Sequence, residues 1–325
     1  MSSHIKIGAI GNARILRRFI SEHDVNPLID FQMIATRSVV AAEKARQTYP
    51  TKVISQSYEE ALVSKDLEAL YVCLPSGLHF TWAARALESG KNVLIEKPAV
   101  LTVEDAQALA ALAHKRQLIA MEAWWYRFHP LIEAIRTLIS SKSLGKILFI
   151  SSNFSYVNAD LSDSRWNADL GGGALNDMFC YHVDFLNHVM GIKNDDIQLV
   201  QAFSQTRHGV DASISAELVT TTGTVCQFMS GINRLSMCKT FIIGEKGSLE
   251  IPHLRVLPEM GASTFMLHNA SGSTVHSFEA TNAYLLMLNS FAEAITQKQF
   301  TQTGLEDMIE NTRLLTRIRL ASQEP

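Results

Sequence analysis

The sequence predicts an α/β N-terminal domain with a doubly wound parallel sheet, followed by an α+β domain with a mostly antiparallel open sheet. Three observations lead there. Residues 1–123 alternate short apolar runs with helical patterns, the rhythm of strand–helix–strand units. Beyond that point, runs of period two follow one another with few helices between them, as in hairpins and meanders. The length of 325 residues also exceeds what one hydrophobic core ordinarily serves.

In the first part, "IKIGAI", "FQMIAT", "LEALYVCL", "NVLIE" and "LIAM" read as strands. Between them "SVVAAEKARQTY", "GLHFTWAARALESG" and "TVEDAQALAALAHKRQ" read as helices. Thr102 with Asp105 three residues on resembles a capping box, and Gly90 closes the helix before "NVLIE". In the second part a helix over 129–141 ends near Gly145, and "KILFISSNFSYV" alternates with period two. The helix "ALNDMFCYHVDFLNHVMG" is stopped by Gly191. Strands are expected at 197–204, 213–220, 224–230, 239–243 and 248–251, then helices at 282–297 and 304–321. No repeat or low-complexity linker intervenes. The expected domains, 1–123 and 124–325, therefore meet at a change of architecture.

Composition narrows the function. The chain is 47% hydrophobic and 19% charged, with a net charge of −3 and no long basic run, which argues against a nucleic-acid partner. The stretch "MSSHIKIGAIG" lacks the charged and apolar regions of a leader, and no uncharged apolar run approaches the roughly 18 residues that span a bilayer. Cys73, Cys180, Cys226 and Cys238 are scattered with no CxxC. They are expected to be reduced thiols in a cytoplasmic protein. No metal site is read.

The candidate residues gather where strands end. After the first strand comes "GNARI", Gly11, Asn12, Ala13, Arg14 and Ile15. A dinucleotide site wants glycine there for a tight turn and close approach of pyrophosphate to backbone. Only the first position of the GxGxxG frame is glycine, so a plain strand-to-helix turn is the alternative. The second strand runs into Thr36, Arg37 and Ser38. No carboxylate stands there to repel a 2′-phosphate, and a guanidinium pairs with one. NADP(H) is therefore preferred, with NAD(H) possible; the alternative is a solvated surface arginine. Leu74, Pro75, Ser76 and His79 follow another strand at the same edge. His79 taken alone reads as a packing or surface residue. Glu96 and Lys97 follow "NVLI"; neighbouring strand side chains point to opposite faces, which argues against a direct pair. On the later helix, Asp177 and Tyr181 stand one turn apart, and Asp184 and His188 extend the stripe. Asp184 and His188 fit a solvent-facing position; Asp177 and Tyr181, near three glycines, do so less well.

The ordered set "TRS", "LPSGLH", "EKP", "EAWWYRFHP", "GGGALNDMFCYHV" and "GEKGSLEI" resembles the glucose–fructose oxidoreductase / inositol dehydrogenase (Gfo/Idh/MocA) family over nearly the whole chain. The likeness is nearest to its dihydrodiol and xylose dehydrogenase branch. The resemblance implies a Rossmann domain binding NAD(P), with the residues above and Glu96 at the cofactor. It implies a C-terminal open sheet that often forms the interface of a homodimer or larger assembly. It marks Lys97, Asp177 and Tyr181 as catalytic, with the Lys–Pro bond often cis. It sets His79 near the nicotinamide or substrate, and Trp125, Arg127 and Phe154 with Asp177 and Tyr181 at a small polar substrate. Leu16 stands where a small residue is expected, and Phe179 where glycine is common.

The expected reaction is reversible hydride transfer between the nicotinamide and a secondary alcohol of a sugar, polyol or dihydrodiol-like molecule. Tyr181 would act as general acid/base, Lys97 would hydrogen-bond the reacting oxygen or donate the proton itself, and Asp177 would orient substrate or Lys97. A reductase of another polar carbonyl is a second possibility. The alternative from another class is a non-catalytic nucleotide-binding regulator or sensor, which has no need of all three residues.

Overall fold

Ile7, Ala9 and Ile10 have no solvent exposure, because helices cover both faces of their strand, as a parallel sheet requires. That strand is β1 (Ile5–Ile10), followed by α1 (Leu16–Phe19), β2 (Ile29–Ala35), α2 (Val39–Thr48), β3 (Val53–Ser55) and α3 (Tyr58–Val63). Next come β4 (Ala69–Val72), α4 (His79–Glu88), β5 (Asn92–Ile95), α5 (Val103–Arg116) and β6 (Ala120–Glu122). All five pairings are parallel and the order is β3-β2-β1-β4-β5-β6. This is the doubly wound arrangement expected. The sequence reading passed over β3 and α3, which have three and six residues, too few for a periodic signal.

The chain is represented by a computed structural model that describes residues 4–20, 28–50, 52–254, 261–299 and 304–323. Residues 1–3 of the stretch read above as lacking a leader lie outside them. Its contacts divide into two units, Met1–Trp125 with Tyr284–Met308, and Tyr126–Ala283 with Ile309–Pro325. The expected second domain, 124–325, kept the late helices together. Here α8 (Ala283–Gln297) falls almost wholly with the first unit. Tyr284 supplies the reason: its ring stacks on Trp125 at 4.6 Å and meets Phe19 edge-on at 5.5 Å.

The second unit begins with α6 (Pro130–Ser140) and β7 (Ile147–Val157). His129 caps α6 through Nδ1, which accepts from the Leu131 amide at 3.1 Å. Then comes α7, a π-turn over Leu175–Phe179, an α-turn over Cys180–Asp184 and a second π-turn over Phe185–Val189. Strands β8 (Ile197–Arg207), β9 (Val210–Thr220), β10 (Val225–Gly231), β11 (Asn233–Gly244), β12 (Gly247–Ile251), β13 (Ser263–Asn269) and β14 (Gly272–Phe278) complete the sheet. Its order is β14-β13-β12-β11-β7-β10-β9-β8. Only the β7–β10 pair is parallel. α9 (Leu305–Ala321) closes the described chain. The first π-turn of α7 lies across β7, β9 and β10. It buries Leu175, Met178 and Phe179 against them, one face of the sheet being covered as antiparallel sheets permit.

Phe179 belongs to that core. It is fully buried and meets the His182 ring at 5.1 Å and the Phe228 ring at 6.2 Å. Its bulk fills the space over β10. Leu16 is likewise fully buried, so the side chain that replaces a small residue is absorbed by the first core.

Candidate active site

The edge of the parallel sheet formed by the carboxyl ends of its strands carries the first cluster. Gly11 has φ +110°, and a Cβ added there would stand 2.8 Å from the Cys73 carbonyl oxygen. Only glycine takes that conformation without strain, and the bare backbone is what a pyrophosphate approaches. Asn12, Ala13, Arg14 and Ile15 form the turn into α1, with Arg14 exposed. Thr36 is buried and donates its hydroxyl to the Ser55 carbonyl at 3.0 Å, so it braces β2 on β3. Arg37 is exposed at the same strand end. Ser38 caps α2, accepting from the Ala41 amide at 3.2 Å. The residues present fit a dinucleotide: a forced glycine turn, an exposed guanidinium and no carboxylate from 35 to 38 at the end of β2.

Pro75 and Ser76 lead into the short turn Ser76–Leu78. His79 is buried, with Nδ1 2.8 Å from the Pro98 carbonyl and Nε2 2.6 Å from the Leu74 carbonyl. It ties two loops of this edge together. Burial pushes the imidazole below its ordinary pKa, and the Lys97 charge pushes the same way. A neutral ring donates from only one nitrogen, so one of the two carbonyls receives its proton. His79 reads here as a strut between loops.

Glu96 and Lys97 follow the end of β5, and the Lys97 amide donates to Glu96 Oε2 at 3.3 Å. Half-buried Glu96 accepts from the Tyr71 phenol at 2.5 Å, and the Tyr71 ring packs edge-on against Phe19. The Lys97–Pro98 peptide is cis. Glu122, buried at the end of β6, accepts from the Ala99 amide at 2.8 Å. The loop bearing Lys97 is thus held by His79 on one side and Glu122 on the other. Glu122 was not singled out in the sequence; a carboxylate directly after the apolar run "LIAM" was the available signal.

The second cluster lies in the other unit, where β7 and α7 face each other. Phe154 and Tyr156 point to one face of β7, since strand side chains alternate. Phe154 meets the Tyr181 ring edge-on at 5.6 Å, and Tyr156 donates its hydroxyl to Asp177 Oδ2 at 2.8 Å. Asp177 and Tyr181 therefore look the same way. Tyr126 also packs on Tyr181, with centroids 5.7 Å apart. Arg165 Nε lies 3.0 Å from Asp177 Oδ2, a partner that no local sequence pattern announces.

Two expectations change. Arg127, grouped above with substrate-binding residues, is buried, and its guanidinium is bonded to Asp184 through both Nε and Nη2. Asp184, read as compatible with solvent, is fully buried; it also accepts from the Tyr126 phenol and from Asn311 Nδ2 at 2.8 Å. A carboxylate loses so much solvation on burial that it persists only with such partners. Trp125, grouped with the substrate, has its ring stacked on Tyr284.

A glycine turn at the edge of a doubly wound sheet, together with a phenol and a carboxylate on one helix of a second unit, is the build of a dinucleotide-dependent oxidoreductase. The chain belongs to the Gfo/Idh/MocA oxidoreductase family: its NAD-binding Rossmann-fold domain matches residues 5–123 and its C-terminal domain matches 132–250. The trans-1,2-dihydrobenzene-1,2-diol dehydrogenase of Xenopus laevis is 32% identical over 249 residues, covering 76% of this chain and 75% of that one. The dTDP-3,4-didehydro-2,6-dideoxy-alpha-D-glucose 3-reductase of Streptomyces violaceoruber is 28% identical, covering 90% and 85%. The crystal structure of KijD10, a 3-ketoreductase from Actinomadura kijaniata in complex with NADP and TDP-benzene, matches with a TM-score of 0.89 at 24% identity, covering 98% of each chain. That last likeness is one of fold. The protein is an NAD(P)-dependent oxidoreductase.

Among the described residues no helix is long and apolar enough to cross a membrane, and no cluster of His, Cys, Asp and Glu is suited to a metal.

Proposed function

We propose that the protein transfers a hydride between NADP(H) and a secondary alcohol or carbonyl carbon of a sugar, polyol or dihydrodiol-like substrate. The observation that carries this reading is the common outlook of Asp177 and Tyr181 over Phe154 and Tyr156 of β7. A phenol beside a carboxylate and an aromatic floor suits a hydroxylated carbon skeleton. The likeness to a diol dehydrogenase and a sugar reductase points the same way. The exposed Arg37 and the absence of an acid at the end of β2 favour the 2′-phosphate.

The nicotinamide, when bound, supplies the hydride chemistry. The chain's own residues manage position and protons. Tyr181 gives a proton to the carbonyl oxygen in reduction and removes it in oxidation. The Lys97 ammonium hydrogen-bonds the same oxygen, and a cation beside a phenol favours the phenolate. Asp177 orients the substrate from one helical turn away. His79 and Glu122 hold the Lys97 loop at both ends. Lys97 belongs to the first unit, and Asp177 and Tyr181 to the second. The second unit's open sheet would pair two copies as a homodimer, in the cytoplasm.

The test is absorbance at 340 nm with NADP⁺ and NAD⁺ against aldoses, polyols and dihydrodiols. Tyr181→Phe is expected to lower kcat about 100-fold, the scale of lost general acid/base catalysis. Near-normal turnover in that variant refutes the role.

A further inference from the structure

The loop between β7 and α7 is tied down at several points, and Arg165 takes part in more than one of them. Its backbone leaves β7 at Asn158, whose amide donates to the Ile232 carbonyl at 2.7 Å, and whose carbonyl accepts from Trp166 Nε1 at 3.2 Å. Asp163 accepts from the Arg165 amide at 3.0 Å and starts the turn Ser164–Trp166. The Arg165 carbonyl then accepts from the Gly173 amide at 2.9 Å. A Cβ on Gly172 would stand 2.5 Å from that carbonyl oxygen. Two glycines of "GGGAL" therefore let the loop close against its own start.

The Arg165 side chain is fixed as firmly. Nη1 donates to Asp163 at 3.1 and 3.3 Å, and Nε lies 3.0 Å from Asp177 Oδ2, which the Tyr156 hydroxyl also bonds. The guanidinium is thus held by hydrogen bonds at Nη1, while Nε, though close to Asp177, makes none among the described residues; pairing with two carboxylates limits how far the group can turn. Nη2 has no protein partner among the described residues, and the side chain is 37% exposed.

We propose that Arg165 is a substrate-binding residue of the Asp177–Tyr181 site, presenting Nη2 to the hydroxyl oxygens of an uncharged polyol. The inference rests on the hydride-transfer reading above and adds the substrate's charge class. One guanidinium faces two carboxylates, Asp163 and Asp177, so this corner carries no surplus positive charge. A diphosphate would meet repulsion there, whereas a hydroxyl accepts from Nη2 and donates to Asp177. Arg165 is thereby a determinant of specificity for free sugars and diols over nucleotide-linked sugars.

The test measures kcat, KM and NADPH affinity for wild type, Arg165→Gln and Arg165→Lys, with D-xylose, D-glucose, trans-1,2-dihydrobenzene-1,2-diol and dTDP-glucose. Loss of a charged hydrogen bond to substrate is expected to raise KM for the uncharged substrate about tenfold or more in both variants. NADPH affinity and melting temperature should stay near wild type, and kcat should change far less than KM. The lysine variant keeps a cation for Asp163 and Asp177, so it decides the matter where glutamine fails to fold. Unchanged KM in a folded variant overturns the proposal. So does a common loss of kcat and NADPH affinity, which marks a purely structural role, or a lower wild-type KM for dTDP-glucose than for the free sugars. Failure of wild type to turn over any of the four is a different result: it removes the hydride-transfer reading and the proposal with it.

Discussion

Asp184 and Arg127 define what a buried charge demands. Both side chains have no exposure, and the carboxylate is bonded by a guanidinium, a phenol and an amide. The Asn311 amide that reaches it accepts in turn from Asn187 Nδ2 at 3.1 Å, so the network joins α7 and α9 to the segment before α6. Such a network is weak evidence for net stabilisation, but breaking it from one side leaves a charge stranded in low dielectric. Arg127→Ala is therefore expected to destabilise the protein by about 3–5 kcal/mol, read as a lower urea midpoint. A midpoint within about 0.5 kcal/mol of wild type, the scale of ordinary surface substitutions, sinks the assignment of Arg127 as a structural strut. This pairing was not legible in the chain. Asp177, Tyr181 and Asp184 form one polar stripe in the sequence, and nothing local says which member faces a cleft and which meets an arginine 57 positions upstream. Gly11 was legible, because a tight turn after a first strand leaves little choice of residue.

At the scale of elements, α7 is the one whose construction bears on the site. Its first residues, "GGGAL", offer no side chain to cap the exposed amides, and no local cap is present. Asp211, from the start of β9, accepts from the Leu175 amide at 2.6 Å instead. Gly173, with φ +107°, makes room: a Cβ there would stand 1.9 Å from Asp211 Oδ1. A carboxylate at a helix N-terminus is favoured by the helix dipole, yet burial dominates and raises the Asp211 pKa to about 6, against the opposing pull of the Leu175 amide and of Arg319. Arg319, from α9, is the charged side chain that faces it, and donates from Nη2 to Asn176 at 3.0 Å. The sign follows from linkage. A carboxyl with a raised native pKa binds its proton more tightly folded than unfolded. Its contribution is fully present below the ordinary 3.8 and is lost as pH rises through about 6. Asp211→Asn keeps the acceptor and never ionises. Its melting temperature should match wild type near pH 4, exceed it at pH 7, and fall less between them; parallel profiles for the two proteins would refute the titration. The elements most readily read in the sequence were those with a period. β3 and α3 are too short to have one, and β14 is mostly exposed along its length, so it lacks the apolar alternation that marks a half-buried strand. The π-turns of α7 were invisible for another reason: a wider turn is chosen by packing on β7, β9 and β10, and no residue type encodes it.

At the scale of the whole molecule, the open sheet of the second unit poses the remaining question. One face carries α7. On the other, cross-strand register lines up Ile243, Phe149, Val225, Val219 and Leu199 over five strands. Two rows away the same register aligns Lys239, Asn153, Met229, Ser215 and Phe203. Phe203 is 73% exposed, and Leu199 and Ile243 are also exposed. An apolar row running across a sheet at the surface is the kind of patch that the homodimer proposed above would cover. The intervening row, Phe241, Ser151, Gln227, Glu217 and Gln201, is mixed, with Gln227 donating to Glu217 at 2.7 Å. The two-fold pairing of such a face is self-complementary, each row meeting its own copy in reverse. The double variant Leu199→Glu with Phe203→Glu places two charges on each side of that contact, where like charges repel and desolvation is costly. Wild type should sediment as a dimer at micromolar concentration and the variant as a monomer, with NADPH binding retained because the nucleotide residues lie in the other unit. A wild-type protein that sediments as a monomer, or a variant that remains dimeric, assigns this face of the sheet no part in assembly.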